Sequence, residues 1–168
     1  MKINKVALLG AGAVGAYFIW GLSDKMGDDF CVVAKGDRKE RLIKNGIIIN
    51  GKQYALNVKE PQELKGVDLL LIAGKQDALP GMLDDIKCMV NENTMVMSLL
   101  NGVTSEEIIG EAIGMEHILY SVMRIASVRI GNEITFNPEI TAGVFAGEKG
   151  IAEKTERVQA VEDLFKDS

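Results

Sequence analysis

Short apolar runs alternate with stretches of helical periodicity along most of this chain. After the first run, Val14, Phe18 and Leu22 recur at helical spacing, which predicts a helix. Such alternation is typical of βαβ units, whose strands are buried on both faces. The sequence therefore predicts an α/β fold with a doubly wound, mostly parallel sheet and helices on both faces. The apolar runs predict strands at 6–9, 30–34, 68–73, 94–100 and 144–146.

The other predicted elements are three helices, a hairpin and a pair of longer strands. Asn50-Gly51 has the composition of a tight turn, which predicts a hairpin over 47–56. Two further strands are predicted to meet at Gly131-Asn132. Those strands are 118–130 and 133–136, and the helices are 38–45, 80–90 and a short one from Ser105.

A last amphipathic helix is predicted near the end of the chain. Its apolar positions are Val158, Val161, Leu164 and Phe165. Packing on the sheet would bury them, whereas incomplete cover would leave an apolar patch of the kind that finds a partner. We expect part of this helix to be exposed and to mediate a symmetric homodimer.

The loop between the first strand and the first helix has the pattern of a phosphate-binding turn. Gly10 permits a tight turn, Gly12 lets the backbone approach a pyrophosphate, and Gly15 lets the helix pack close to the strand. The helix N-terminus offers free N–H groups to the phosphates. The loop predicts a Rossmann-type dinucleotide-binding domain over 1–168, the alternative being a turn without a ligand. Its full sequence is Gly10-Ala11-Gly12-Ala13-Val14-Gly15.

The residues after the second strand predict which dinucleotide is bound. An NAD site places an acidic residue about 20 positions beyond the loop, where it holds the ribose 2′-hydroxyl. Here that position is Lys35, and Arg38 and Lys39 follow it. Cations attract a 2′-phosphate, so the sequence favours NADP, with Lys35 and Arg38 as contacts. Two alternatives stay open: Asp37 could point at the ribose, and Arg38 and Lys39 could lie on a solvated helix face.

Two polar residues follow later strands, at the sheet edge where open α/β folds bind ligands. Lys75 comes after the strand at 68–73, and Asn101 after the strand at 94–100. A lysine there can hold a carboxylate or polarise a carbonyl, and an amide can orient either partner. Either side chain could therefore position a substrate. The alternative is a surface lysine and an Asn-Gly turn.

Together these stretches resemble the ketopantoate reductase family, the 2-dehydropantoate 2-reductases. The resemblance implies that the glycine loop holds the pyrophosphate and that Lys35 contacts the 2′-phosphate. It also implies that Lys75 and Asn101 lie beside the nicotinamide and the substrate, and that Ser127 contacts the cofactor. The family usually has arginine where this chain has Lys35. The resemblance rests on the glycine loop and on 34–37, 68–75, 99–103 and 106–108, and extends loosely to 118–127 and 145–148.

The resemblance also implies a reaction and a missing part. Members of the family reduce ketopantoate, a 2-oxo acid, to pantoate with hydride from NADPH, on the way to pantothenate and coenzyme A. They continue into a C-terminal helical substrate domain that supplies the general acid. We expect that domain to be absent from this chain, which alone would be a poor catalyst. A stand-alone nucleotide-sensing module and a reductase acting on another 2-oxo acid are the alternatives.

Composition and charge disfavour several other classes of protein. Of the 168 residues, 47% are hydrophobic and 26% charged, as in an ordinary globular domain. A net charge of −5 without a basic stripe disfavours nucleic acid as a partner. No apolar run approaches the roughly 18–20 residues of a membrane span, and no signal peptide is recognisable. We therefore expect a cytoplasmic protein with no membrane partner.

Three single side chains have expected roles outside the site. Cys31 and Cys88 lie in apolar stretches and are predicted to be buried free thiols, with no metal site. His117, the only histidine, follows a polar lead-in and is predicted to be solvated, so it is not assigned as a proton donor.

Overall fold

A computed structural model describes residues 3–10, 13–73, 79–100, 104–124, 127–130, 133–136, 143–147 and 155–165. The strands are β1 (Val6–Leu9), β2 (Phe30–Val33), β3 (Ile47–Ile49), β4 (Lys52–Tyr54), β5 (Val58–Lys59), β6 (Leu69–Ile72), β7 (Met95–Ser98), β8 (Ile118–Arg124), β9 (Ser127–Ile130), β10 (Glu133–Phe136) and β11 (Gly143–Gly147). The α-helices are α1 (Ala13–Met26), α2 (Gly36–Asn45), α3 (Leu79–Met89), α4 (Thr104–Ile113) and α5 (Glu156–Phe165).

A seven-stranded sheet in the order β11-β8-β7-β6-β1-β2-β5 forms the centre of the fold. Six of its strands are parallel to one another, namely β8, β7, β6, β1, β2 and β5. The edge strand β11 is antiparallel to β8. The chain runs outward from β1 to β2 and β5, then crosses back to β6 on the other side of β1. This reversal of direction confirms the doubly wound, mostly parallel sheet predicted from the sequence.

The continuous apolar runs form strands that are buried on both faces. In β1, Val6 and Leu8 face a core shared with α1 and α5, whereas Ala7 and Leu9 face a second core shared with α3 and α4. All four side chains are buried. Helices on both faces remove the hydrophobic–polar alternation of a one-sided sheet, as expected for parallel strands.

A second sheet of four strands, in the order β4-β3-β10-β9, packs beside α1. The predicted turn at Asn50-Gly51 is present, and both residues have positive φ, 51° and 82°, as a two-residue hairpin turn requires. Asn50 also joins distant strands, because its Oδ1 accepts the backbone N–H of Phe136 at 2.8 Å. The sequence predicted this hairpin but not the sheet to which it belongs.

The prediction of one strand over 118–130 is wrong. That segment divides into β8, which pairs with β7 in the large sheet, and β9, which pairs with β10 in the small one. The apolar pattern continues through both strands, and the division comes from their different partners. The short strand β5, which pairs with β2, was also missed.

The last helix does not present an apolar face to solvent. Val158, Val161 and Leu164 are buried in the core that contains α1. Phe165 is partly buried, and its ring centroid lies 5.5 Å from that of Phe18. The prediction that part of α5 is exposed is therefore wrong. The predicted homodimer no longer has the exposed apolar patch on which that prediction was based.

Two predictions about single side chains are also wrong. Cys88 is exposed, because α3 buries a face formed by Leu79, Ile86 and Met89 instead. His117 is buried, and its Nδ1 lies 2.8 Å from the carbonyl oxygen of Thr94. That hydrogen bond gives Nδ1 of the buried ring a partner inside the protein. The polar residues before His117 in the sequence did not indicate this burial.

The described residues contain neither a membrane-spanning helix nor a metal-binding cluster. No described helix has both the length and the apolar character needed to cross a membrane. No three His, Cys, Asp or Glu side chains among the described residues lie close enough together to hold a metal ion.

Candidate cofactor-binding site

Four strand ends are aligned at one edge of the large sheet. In register, Leu9 of β1 pairs with Val33 of β2 and with Ile72 of β6, which pairs with Ser98 of β7. The glycine loop, Lys35, Lys75 and Asn101 each follow one of these ends within three positions. The switch point between β1 and β6 lies at the same edge, where ligands bind in open α/β sheets.

The turn from β1 into α1 is as tight as its sequence predicts. Gly10 has a φ of 104°, a backbone conformation that residues other than glycine rarely adopt. A Cβ on Gly15 would collide with the carbonyl oxygen of Gly10 and would lie 3.4 Å from Cδ2 of Leu8. The first turn of α1 therefore packs directly against the end of β1, as expected of these glycines.

The electrostatics at the start of α1 favour an anion. The first N–H groups of a helix have no partner within it, and the helix dipole adds positive partial charge there. No acidic side chain lies in the first turn of α1 to oppose an anion. Val14, in that turn, packs partly buried against the core and so fixes the helix on the sheet. Ala13 begins the helix.

Lys35 lies where the sequence predicts a 2′-phosphate contact, but its ammonium already has a partner. It is the residue that precedes the first turn of α2, and its side chain is 57% exposed. Its Nζ lies 3.1 Å from both carboxylate oxygens of Asp85 on α3. Asp85 could not be identified from the sequence, because no local pattern links residues 50 positions apart.

The two cations that follow Lys35 have different environments. Lys39 pairs with Glu60 at 3.4 Å and Glu63 at 3.8 Å, and so links α2 to the turn after β5. The pKa of Glu63 is lowered, chiefly because its carboxylate accepts the backbone N–H of Glu60. Arg38 is exposed, and its guanidinium forms no ion pair within the described part of the chain. Arg38, and not Lys39, is thus available to an incoming anion.

Several predicted site residues lie outside the residues that the structure describes. They are Ala11, Gly12, Lys75 and Asn101. The backbone of Ser127 is described, and it begins β9, which belongs to the small sheet and not to the large one. The roles of all these residues stay predictions.

A buried serine pair flanks the segment that carries Asn101. Oγ of Ser98, at the end of β7, lies 2.8 Å from Oγ of Ser105, in the first turn of α4. The backbone N–H of Leu100 also donates to Ser98 Oγ, at 3.4 Å. The pair ties the strand end to the helix start across this connection. It was missed because two serines seven positions apart form no recognised motif.

These features define a Rossmann-like α/β domain with a glycine turn at its switch point. Residues 6–147 match the family Ketopantoate reductase PanE/ApbA, and the chain belongs to this family. The resemblance inferred from the sequence is thereby confirmed.

Known proteins resemble this chain in both sequence and fold. The chain is 28% identical to the oxidoreductase YkpB of Bacillus subtilis over 167 residues, covering 96% of this chain and 54% of YkpB. The 2-dehydropantoate 2-reductase of Geobacter metallireducens superposes with a TM-score of 0.81 at 26% identity, covering 97% and 55% of the two chains. A D-mandelate dehydrogenase solved with NADH and anilino(oxo)acetate has the same fold, with a TM-score of 0.77 at 24% identity and coverage of 97% and 54%. The chain thus spans about half the length of these relatives.

Proposed function

We propose that this chain is the NADP-binding domain of an oxidoreductase that transfers hydride from NADPH to a 2-oxo acid, with 2-dehydropantoate as the substrate. The observation that carries the proposal is the Gly10–Gly15 turn at the switch point of the sheet. Membership of the ketopantoate reductase family favours this function over a stand-alone nucleotide-sensing module.

The glycine turn supports binding of the pyrophosphate. Its close packing brings the start of α1 to the end of β1, where the first N–H groups of the helix, which have no partner within a helix, would bind the pyrophosphate. In this proposal Gly10, Ala11, Gly12, Ala13, Val14 and Gly15 form the pyrophosphate loop. The absence of an acidic side chain from the first turn of α1 supports the same assignment.

The charges after β2 support NADP as the dinucleotide. The first residues beyond this strand are Ala34 and Lys35, and neither carries a carboxylate that would repel a 2′-phosphate. Lys35 and Arg38 bring two cations to the start of α2, and Arg38 is exposed there. Asp37, the alternative ribose contact, lies in the first turn of α2 and is also exposed.

The chemistry at the substrate end is assigned to Lys75 and Asn101. When bound, NADPH supplies the hydride that reduces the 2-oxo carbonyl to an alcohol. The ammonium of Lys75 would hold the substrate carboxylate or polarise the carbonyl, and the amide of Asn101 would orient substrate and nicotinamide. The proton on the new alcohol would come from a general acid outside this chain, which is why we propose a further substrate domain in the whole protein.

Calorimetric titration of this chain with NADPH and NADH tests the proposal. We expect NADPH to bind more tightly, and Lys35→Gln to weaken NADPH by roughly tenfold while leaving NADH nearly unchanged, since a charge-assisted contact to phosphate is lost. Lys44→Gln, which removes an equal charge from the last turn of α2, is the matched control. Equal affinity of the unaltered chain for both dinucleotides would contradict the NADP assignment.

A further inference from the structure

The Lys35–Asp85 ion pair joins the segments that follow the two neighbours of β1 in the large sheet. Lys35 follows β2, and Asp85 lies on α3, which follows β6. Both β2 and β6 pair with β1, whose end leads into the glycine turn. The ion pair therefore links the two sides of the crevice in which the adenosine half of a dinucleotide would lie.

The two partners differ in how firmly they are held. The side chain of Asp85 is only 14% exposed, whereas that of Lys35 is 57% exposed. A largely buried carboxylate needs a charged or hydrogen-bonding partner, and here both of its oxygens lie 3.1 Å from one ammonium. Asp85 is thus the anchored member of the pair, and Lys35 is the member that can turn towards solvent.

We propose that Asp85 sets how strongly this site prefers a 2′-phosphate, by competing with that phosphate for the ammonium of Lys35. This inference rests on the proposed function. A 2′-phosphate must draw Lys35 away from Asp85 or share its ammonium with that carboxylate. A ribose with a free 2′-hydroxyl makes no such demand and leaves the ion pair intact. Asp85 is therefore a specificity-determining residue that need not touch the cofactor.

Asp85→Asn tests this role with the adenosine halves of the two cofactors, 2′,5′-ADP and 5′-AMP, as probes. Titration calorimetry should show 2′,5′-ADP binding about two- to fivefold more tightly to this variant, the range expected for an ion pair near the surface. Binding of 5′-AMP should change by less than about 1.5-fold. The gain should shrink at high salt, because screening weakens the competition that the variant removes.

Asp84→Asn is the matched control. Asp84 is the exposed neighbour of Asp85 on α3, and its loss removes the same charge without freeing Lys35. We expect no change in the ratio of the two affinities. A control that raises 2′,5′-ADP affinity as much as Asp85→Asn does would reduce the effect to net charge and overturn the proposal.

The same substitution in a chain that lacks Lys35 tests whether the effect of Asp85 depends on the lysine ammonium. In a Lys35→Gln chain, adding Asp85→Asn should no longer favour 2′,5′-ADP, because the shared ammonium is gone. A gain that persists there contradicts the proposal, as does equal tightening of both probes by Asp85→Asn. Asp85→Ser repeats the test with a smaller side chain if Asp85→Asn unfolds.

These outcomes separate the inference from the proposed function. If the unaltered chain binds neither probe, the proposed function fails and this inference fails with it. If it prefers 2′,5′-ADP but Asp85→Asn leaves the ratio unchanged, the proposed function stands and only the role of Asp85 is wrong.

Discussion

Parallel strands connected through helices form most of the large sheet, whereas the small sheet joins the hairpin of β3 and β4 to the distant strands β9 and β10. Residues of β1 and β2 pair across one intervening helix, but the hydrogen bond from Phe136 to Asn50 spans 86 positions. The edge of the large sheet carries the candidate site. The small sheet packs against α1, where the ring centroids of Phe136 and Trp20 lie 5.3 Å apart. We infer that the large sheet determines cofactor binding and that the small sheet stabilises the position of α1.

The largest effect should come from Gly15→Ala, which breaks the junction of β1 and α1. The new Cβ would collide with the backbone of Gly10, so one of the two segments must move. We expect a loss of about 3 kcal/mol in the free energy of unfolding and at least tenfold weaker NADPH binding. Denaturant unfolding and calorimetric titration measure the two effects.

Gly81→Ala is the control for that substitution. A Cβ at this helical glycine meets nothing within 4 Å, so alanine should be neutral or stabilise the chain by up to about 1 kcal/mol. If both variants behave alike, the close approach at Gly15 does not constrain the fold.

A smaller effect is expected from Asn50→Ala in the small sheet. The change removes the acceptor for Phe136 N–H and places alanine at a φ of 51°, which together should cost about 1–2 kcal/mol of stability. Asn50→Asp keeps both the acceptor and the tolerance of positive φ and should stay close to the unaltered chain. NADPH affinity should be unchanged in both, and a loss with Asn50→Ala would remove the distinction between the two sheets.

The smallest effect should come from Asp24→Asn, which breaks the ion pair between α1 and β4. Asp24 Oδ2 lies 3.0 Å from Nζ of Lys52, and both side chains are exposed, so the melting temperature should fall by less than about 2 °C. The hydrogen bond and charge of Asp24 raise the pKa of Lys52. The stabilising contribution is therefore present below the unfolded pKa of lysine and lost as pH rises through the folded one. Melting curves recorded from pH 7 upward should show the difference at pH 7 and its decline as the pH rises through the folded pKa of Lys52.

The sequence predicted the large sheet better than the small one for a physical reason. The signals for β1 and for the turn after it are local in the sequence. The run Val6–Leu9 is continuously apolar because both of its faces are buried, and the glycines that follow it form one tight turn. The division of 118–130 into β8 and β9 depends on partners elsewhere in the chain, and the apolar pattern does not encode them. Burial of His117 likewise depends on the carbonyl of Thr94, 23 positions away.

The candidate site shows the same division between local and distant information. The spacing of about 20 residues beyond the glycine loop was enough to select Lys35, whose strand end is aligned with that of β1. It did not reveal that Asp85 holds the ammonium of Lys35, since that contact comes from the packing of α3. Whether Lys75, Asn101 and Ser127 bind the cofactor stays a prediction.

The exposed thiol on α3 makes the chain ready for site-selective labelling. Cys88 lies three positions after Asp85, so the two side chains are neighbours on the helix surface. The chain's other thiol, Cys31, is buried in β2, and burial raises its pKa, which lowers its thiolate fraction at neutral pH. A maleimide fluorophore should therefore attach at Cys88 alone, about one per chain by mass spectrometry. We expect the fluorescence of a dye placed there, beside Asp85, to report whether Lys35 is held by Asp85 or drawn away by a ligand.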